Sequence, residues 1–261
     1  MQLPWQPTQQ DERPFLVIAL GLVGLAWVAL YLWGASPYAH YLSHDSIELM
    51  VSGSQFWAAG LLFAGGWTLM VIAMMLPTSL PLISVFRQVT RSRTDRTRLV
   101  FLLIAGYLAI WLLFGVVVHA IDLGVHQIAG AVTVLQNAPW VLGAGVFAIA
   151  GAFQFTELKY RCLDKCRSPL SFVTSYWTGV NEWRNSFALG VHHGIFCVGC
   201  CWSLMLLMFA VGHANIAWML ILGVIMGAEK NLKKGRALAK PLGIGLLIGA
   251  GLIAAVGIMH G

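Results

Sequence analysis

The stretch LVFLLIAGYLAIWLLFGVVVHA, Leu99–Ala120, carries 22 residues without one charged side chain. About 20 apolar residues suffice for a helix to cross the hydrocarbon core of a bilayer. Arg96 and Arg98 stand directly before it, and Arg87, Arg91 and Arg93 precede them. An uncharged run of this length behind a basic loop reads as a transmembrane helix with a cytoplasmic start.

The rest of the chain repeats the pattern. Of its 261 residues 59% are hydrophobic and 10% are charged, where a soluble domain carries about 25% charged residues. The mean hydropathy is +0.78. These values exclude a water-soluble domain, a disordered chain and a nucleic-acid binder, in spite of the net charge of +6. The expected fold class is all-α, a polytopic transmembrane helical bundle forming a single integral membrane domain over residues 1–261. Seven spans are expected: Phe15–Gly34, Trp57–Ile83, Leu99–Ala120, Pro139–Leu158, Phe187–Val211, Asn215–Ala228 and Leu242–Met259. Trp57 reads as an interfacial anchor.

The basic residues orient these spans. Arg13 precedes the first. Five arginines lie between the second and third. Lys159, Arg161, Lys165, Arg167 and Arg184 lie between the fourth and fifth, and Lys230, Lys233, Lys234, Arg236 and Lys240 between the sixth and seventh. With seven spans all 16 fall on one side. The N-terminus is therefore expected in the cytoplasm and the C-terminus outside. The first span is longer than a signal-peptide core and no A-x-A site follows, so it reads as retained. The segment Lys159–Ser186 is expected to be a cytoplasmic loop with a short interfacial helix.

The richest chemistry lies in GVHHGIFCVGCCWSLMLLMF, Gly190–Phe209. Helical spacing puts His193, Cys197 and Cys200 on one face, with Cys201 on its flank and His192 about 100° from His193. Cys197 lies about 15 Å into its span, near the bilayer midplane. Thiolates are soft ligands that suit Cu(I), zinc and iron–sulfur clusters, while cysteine also packs well as a small apolar residue. Cys162 and Cys166, in RCLDKCR, share a face at the cytoplasmic boundary, where four basic neighbours favour thiolate. They read as a transfer or redox pair, or as two reduced cytosolic cysteines.

MVIAMMLPTSLP, Met70–Pro81, brings Met74 and Met75 to nearly the depth of Cys197. Thioether sulfur suits Cu(I) and is a poor zinc ligand. Pro77 and Pro81 are expected to kink or break the helix there. The second and fifth spans are expected to be neighbours, with Met74 or Met75 within about 5 Å of Cys197 or Cys200, two metal–sulfur bonds end to end. Glu229 closes the sixth span and reads either as a functional intramembrane acid or as an interfacial partner of Lys230 or Lys233. On the outer side His40, His44, His119, His126, His213 and His260, with Asp45, Glu48 and Asp122, form a possible collecting surface for metal or simply scattered loop polarity.

The segments MVIAMMLPTSLPLI, FQFTELKYRCLDKCRSP, GVHHGIFCVGCCWSLMLLMFAVGHANIAWM and GAEKN together resemble a bacterial family of predicted metal-binding integral membrane proteins, some of whose members carry a copper-chaperone label. The resemblance runs from about Gly66 to about Pro241. It implies copper as the bound metal, another transition metal being the alternative, and a copper enzyme as client. The expected metal residues are Cys197, Cys200, Cys201, His193, His192, Met74, Met75, Cys162 and Cys166. The alternative readings are a thiol-redox membrane protein and a non-catalytic subunit of a larger membrane complex. No Walker A sequence and no H-E-x-x-H appear, which disfavours an ATP-driven pump and a zincin protease, and no catalysis is expected. Membrane lipid is the expected surrounding and nucleic acid is not a partner.

Overall fold

The structure, a computed structural model, describes residues 13–36, 56–131, 138, 140–211 and 215–260. His40, His44, Asp45, Glu48 and His213 lie outside the described residues, as do the side chains of Trp57, Asp122, His126 and His260. All regular structure among the described residues is helical. The helices are α1 (Arg13–Gly34), α2 (Phe56–Met74), α3 (Leu76–Val89), α4 (Arg96–Ala131), α5 (Trp140–Phe153), α6 (Glu157–Cys166), α7 (Pro169–Tyr176), α8 (Glu182–Val211), α9 (Ile216–Asn231) and α10 (Ala239–His260).

Four of these helices are long and apolar enough to cross a membrane, and up to six spans result if two bent pairs each count as one. The bent pairs are α2–α3 and α5–α6, each turned by 67°. The expected span missing from this count is the sixth, α9, whose 16 residues give about 24 Å at the helical rise, short of the 30 Å core. The outer surface is apolar: Val17, Ile18 and Leu25 on α1 and Ile248, Leu252 and Ile258 on α10 are exposed. Polar groups lie inside, among them Ser79, Gln154, Lys159, His193, Glu229 and Lys230. That inversion matches a chain with apolar surroundings.

Both bends have local causes. Pro77 has no N–H to offer the Ala73 carbonyl, and its ring would collide with it, so α2 stops at Met74 and α3 restarts with Pro77 in its first turn. Pro81 sits within α3, which continues through it. At the break the Met75 carbonyl accepts from two hydroxyls, Thr78 Oγ1 at 2.8 Å and Ser79 Oγ at 3.3 Å. At the second bend Thr156 caps α6, its Oγ1 accepting from the Lys159 N–H at 3.3 Å, with Glu157 in the first turn. Lys159–Ser186 is therefore not a loop with one interfacial helix: α6 turns by 67° from α5 and packs against α8, and α7 follows it.

α8 packs most extensively on α4, and also on α6 and α5, while α10 lies along α5. Glycines permit the α4–α8 approach. A Cβ on Gly190 would collide with the Leu103 carbonyl, and one on Gly106 with the Phe187 carbonyl, so the two backbones touch where neither has a side chain. The Trp67 indole N–H donates to the Trp111 carbonyl at 2.8 Å and ties α2 to α4.

The three basic segments meet at one end. Arg93 pairs with Glu182 at 2.8 Å and Arg236 with Asp164 at 2.8 Å. Arg167 caps the end of α9 through the carbonyls of Glu229, Lys230 (3.4 Å) and Lys233 (2.9 Å), satisfying acceptors that a helix C-terminus leaves open. Two basic residues depart from the expected solvated loops. Lys159 and Lys230 are buried, at 0% and 6% exposure.

Candidate metal centre

Three elements converge inside the bundle. The α2–α3 break presents Met75, the middle of α8 presents Cys197 and Cys201, and the last turns of α9 present Lys230. All four are buried. The Cys201 sulfur lies 3.9 Å from the Met75 sulfur. The Lys230 Nζ stands 2.9 Å from the Cys197 sulfur, 3.9 Å from that of Cys201 and 4.0 Å from that of Met75. Its remaining hydrogen-bond partner here is Thr78 Oγ1, at 3.3 Å. A single ammonium thus faces two thiols, a thioether and a hydroxyl.

Tyr107 closes the α4 side. Its hydroxyl is 3.2 Å from the Cys197 sulfur and 3.4 Å from the Met75 carbonyl. It has one proton for two neighbours. When Cys197 is a thiol, Cys197 donates to Tyr107 and Tyr107 to Met75; when Cys197 is a thiolate, Tyr107 donates to the sulfur. The site thus accommodates either form of Cys197.

His193 supports the break. Its ring stacks on Tyr107, with centroids 5.3 Å apart, and its Nε2 is 3.0 Å from Ser79 Oγ. Its Nδ1 has no hydrogen-bond partner among the described residues. The arrangement that strands no N–H puts the proton on Nε2, donating to Ser79, which donates in turn to the Met75 carbonyl. His193 therefore bears on the turn that carries Met75 through Nε2.

The cysteines divide by face, though not as their spacing implied. Cys197 and Cys201, four residues apart, look toward Met75 and Lys230. Cys200 sits between Cys201 and Cys166 of α6. Cys162 packs over Gly199, where a Cβ would stand 2.7 Å from its sulfur. The thiols of Cys197, Cys201, Cys200 and Cys166 form a continuous series of side-chain contacts. All five cysteines are free. Cys162 and Cys166 therefore pack into the same cluster as the α8 cysteines, instead of forming a separate wet site, because α6 turns at Thr156 onto α8.

Met74 and His192 stand apart. Met74 packs on Gly223 of α9 and lines a cavity of about 230 Å³ bordered by Trp27, Pro77 and Thr78. His192 is exposed and stacks on Tyr176, centroids 4.6 Å apart. His119 stacks on Phe63, with centroids 4.1 Å apart. Among the described residues no three His, Cys, Asp or Glu side chains converge as a metal-holding group. The convergence here is of two thiols, one thioether and one ammonium.

Glu229 pairs with neither Lys230 nor Lys233. Both its oxygens accept from Lys159 Nζ, at 3.0 and 2.7 Å, and this ion pair is buried, at 0% and 2% side-chain exposure. It locks α6 to α9 and so fixes Lys230 one residue further on. Sequence reading missed Lys230 and Tyr107. The available signals were a lysine inside the last turn of an apolar helix and a lone phenolic hydroxyl in the middle of a span, whose polar tip needs a partner when buried.

A protein-family model described as PpoB2, copper chaperone, matches residues 64–253. The chain belongs to that family. The copper chaperone match begins within α2 and ends within α10, so every residue of the sulfur cluster falls inside it and α1 falls outside. Comparisons with curated proteins and with solved structures give no match. The donor chemistry agrees with the family's description, since thiolate and thioether together select Cu(I).

Proposed function

We propose that this protein binds Cu(I) inside the membrane through Cys197, Cys201 and Met75 and hands it to a copper-requiring client. The observation that carries this reading is the 3.9 Å separation of the Cys201 and Met75 sulfurs, with the Cys197 side chain in contact with Cys201. A metal ion bonded to two sulfurs spans about 4.6 Å at most, at roughly 2.3 Å per bond, so rotamer adjustment suffices for both to share one ion. Two soft thiolates and a thioether match Cu(I) and disfavour harder divalent ions. Cu(I) here is cargo, and the series Cys201, Cys200, Cys166 offers it successive sulfurs toward α6. A relay of this kind favours delivery over storage.

The same reading takes α1, α2–α3, α4, α5–α6, α8, α9 and α10 as seven spans of one membrane domain in the bacterial cytoplasmic membrane, N-terminus inside and C-terminus outside. The ion pairs joining the three basic segments at one end support that orientation. The test is Cu(I) titration of detergent-purified protein against a competing chelator. Wild type should bind roughly one Cu(I) that Cys197→Ser with Cys201→Ser loses, serine being a hard ligand of similar size. Wild type without copper, or undiminished binding in the double variant, overturns the proposal.

A further inference from the structure

Among the described residues Lys230 is the charged side chain that stands against the sulfurs of Met75, Cys197 and Cys201, and the copper reading does not require it. A metal site built only for affinity gains nothing from an ammonium 2.9 Å from one ligand and about 4 Å from the other two. The interior position makes the charge consequential. At an effective dielectric constant of about 20, two unit charges 4 Å apart interact about four times more strongly than in water.

Counting charge at the filled site gives the consequence. The Cys197 and Cys201 thiols lose their protons to water when they ligate a metal, leaving a charge of −2. Met75 contributes none. Lys230 adds +1. Glu229 contributes no net charge, because Lys159 neutralises it at 2.7 Å. The protein side of the site thus amounts to −1. A monovalent ion brings the whole to zero, whereas a divalent ion leaves +1 in a buried environment and faces twice the repulsion from the ammonium. Resting on the copper reading, we infer that Lys230 is the specificity-determining residue that makes this site accept monovalent soft cations and reject divalent soft cations. Softness alone does not achieve that, because cadmium and zinc also take thiolate.

The geometry gives the ammonium somewhere to go. Thr78 Oγ1 lies 3.3 Å from Nζ, and Thr78 also lines the 230 Å³ cavity between α1, the α2–α3 break and α9. When a metal takes the space among the three sulfurs, Lys230 keeps Thr78 as acceptor and turns toward that cavity. It remains close enough to act through its charge without ligating.

The experiment compares Ag(I), a redox-stable monovalent surrogate for Cu(I), with Cd(II), by competition titration of purified wild type, Lys230→Arg and Lys230→Met. The result expected is a strong wild-type preference for Ag(I), kept in Lys230→Arg. In Lys230→Met the Ag(I)-to-Cd(II) affinity ratio should fall by roughly a hundredfold or more, the scale of one unit charge at about 4 Å in this medium. Should Lys230→Met not fold, Lys230→Gln removes the same charge while keeping a polar end for Thr78. A ratio that moves less than about threefold in the neutral variants that still bind Ag(I) overturns the inference and leaves the copper reading standing. Wild type that binds neither Ag(I) nor Cu(I) overturns the copper reading itself.

Discussion

The sulfur of Met75 lies 3.9 Å from the sulfur of Cys201, across 126 positions of sequence. A continuous helix would not bring them together in this way. Pro77 interrupts the hydrogen-bond ladder, the chain turns by 67° at Met75, and the Met75 carbonyl at the turn accepts from Thr78, Ser79 and Tyr107. The hydroxyls that hold the turn stand beside the sulfurs of the proposed site, so changes to the turn should register in the site and the reverse.

Cys166 and Cys200 should be joined by a short bifunctional thiol reagent in a protein whose other three cysteines are replaced by alanine. Their side chains are in contact, although a reading of α6 as a cytoplasmic loop separates them. Mass analysis of the intact chain detects the link. Two independently labelled thiols in the folded protein would mean that α6 does not fold back on α8.

Glu229→Gln should destabilise the protein by about 3–5 kcal/mol, because it leaves the Lys159 ammonium buried without its partner. Replacing both, Lys159→Met with Glu229→Leu, should recover most of the loss, since an apolar pair incurs no desolvation of charge. Thermal unfolding in detergent measures both. A double variant as unstable as the single one would show that the charge is not the cause.

Gly190→Ala should cost about 1–3 kcal/mol, the usual range for overpacking. Its Cβ meets the Leu103 carbonyl, which is backbone and has little room to yield. The same substitution at Gly245, where a Cβ meets nothing within 4 Å, should be close to neutral. Equal effects at the two positions would remove the α4–α8 backbone contact from the account.

The sequence alone carried the helical class and the interruption near Pro77. Its apolar runs are long, and proline and cysteine act through local chemistry. It did not disclose which cysteines share a partner. Spacing by three and by four both fall on one helical face, and only the neighbouring elements decide: α6 meets Cys200, and the break meets Cys201. Lys230 was hidden for a different reason. Basic residues at the ends of apolar runs ordinarily mark the cytoplasmic side, and nothing local distinguishes Lys230 from Lys233 or Lys234. Its buried position depends on Arg167 and the Lys159–Glu229 pair, which hold α9 past the point where an apolar count ends it. The span number suffered similarly, since α9 is shorter than a hydrocarbon core and two runs are bent.

A reporter fused after Gly261 should read as external, as the segregation of basic residues requires with seven spans. The same reporter placed after Thr94, in the first basic segment, should read as cytoplasmic. Matching readings at the two positions would reduce the spans between them to an even number and remove the proposed orientation.

The ligand set can be read directly from X-ray absorption at the copper edge of the Cu(I)-loaded protein. The account predicts a first shell of sulfur alone, at about the 2.3 Å of metal–thiolate bonds, that loses scatterers when Met75→Leu or Cys201→Ser is introduced and is unchanged by His193→Gln. A nitrogen shell that disappears with His193, or a sulfur shell indifferent to Met75 and Cys201, would contradict it.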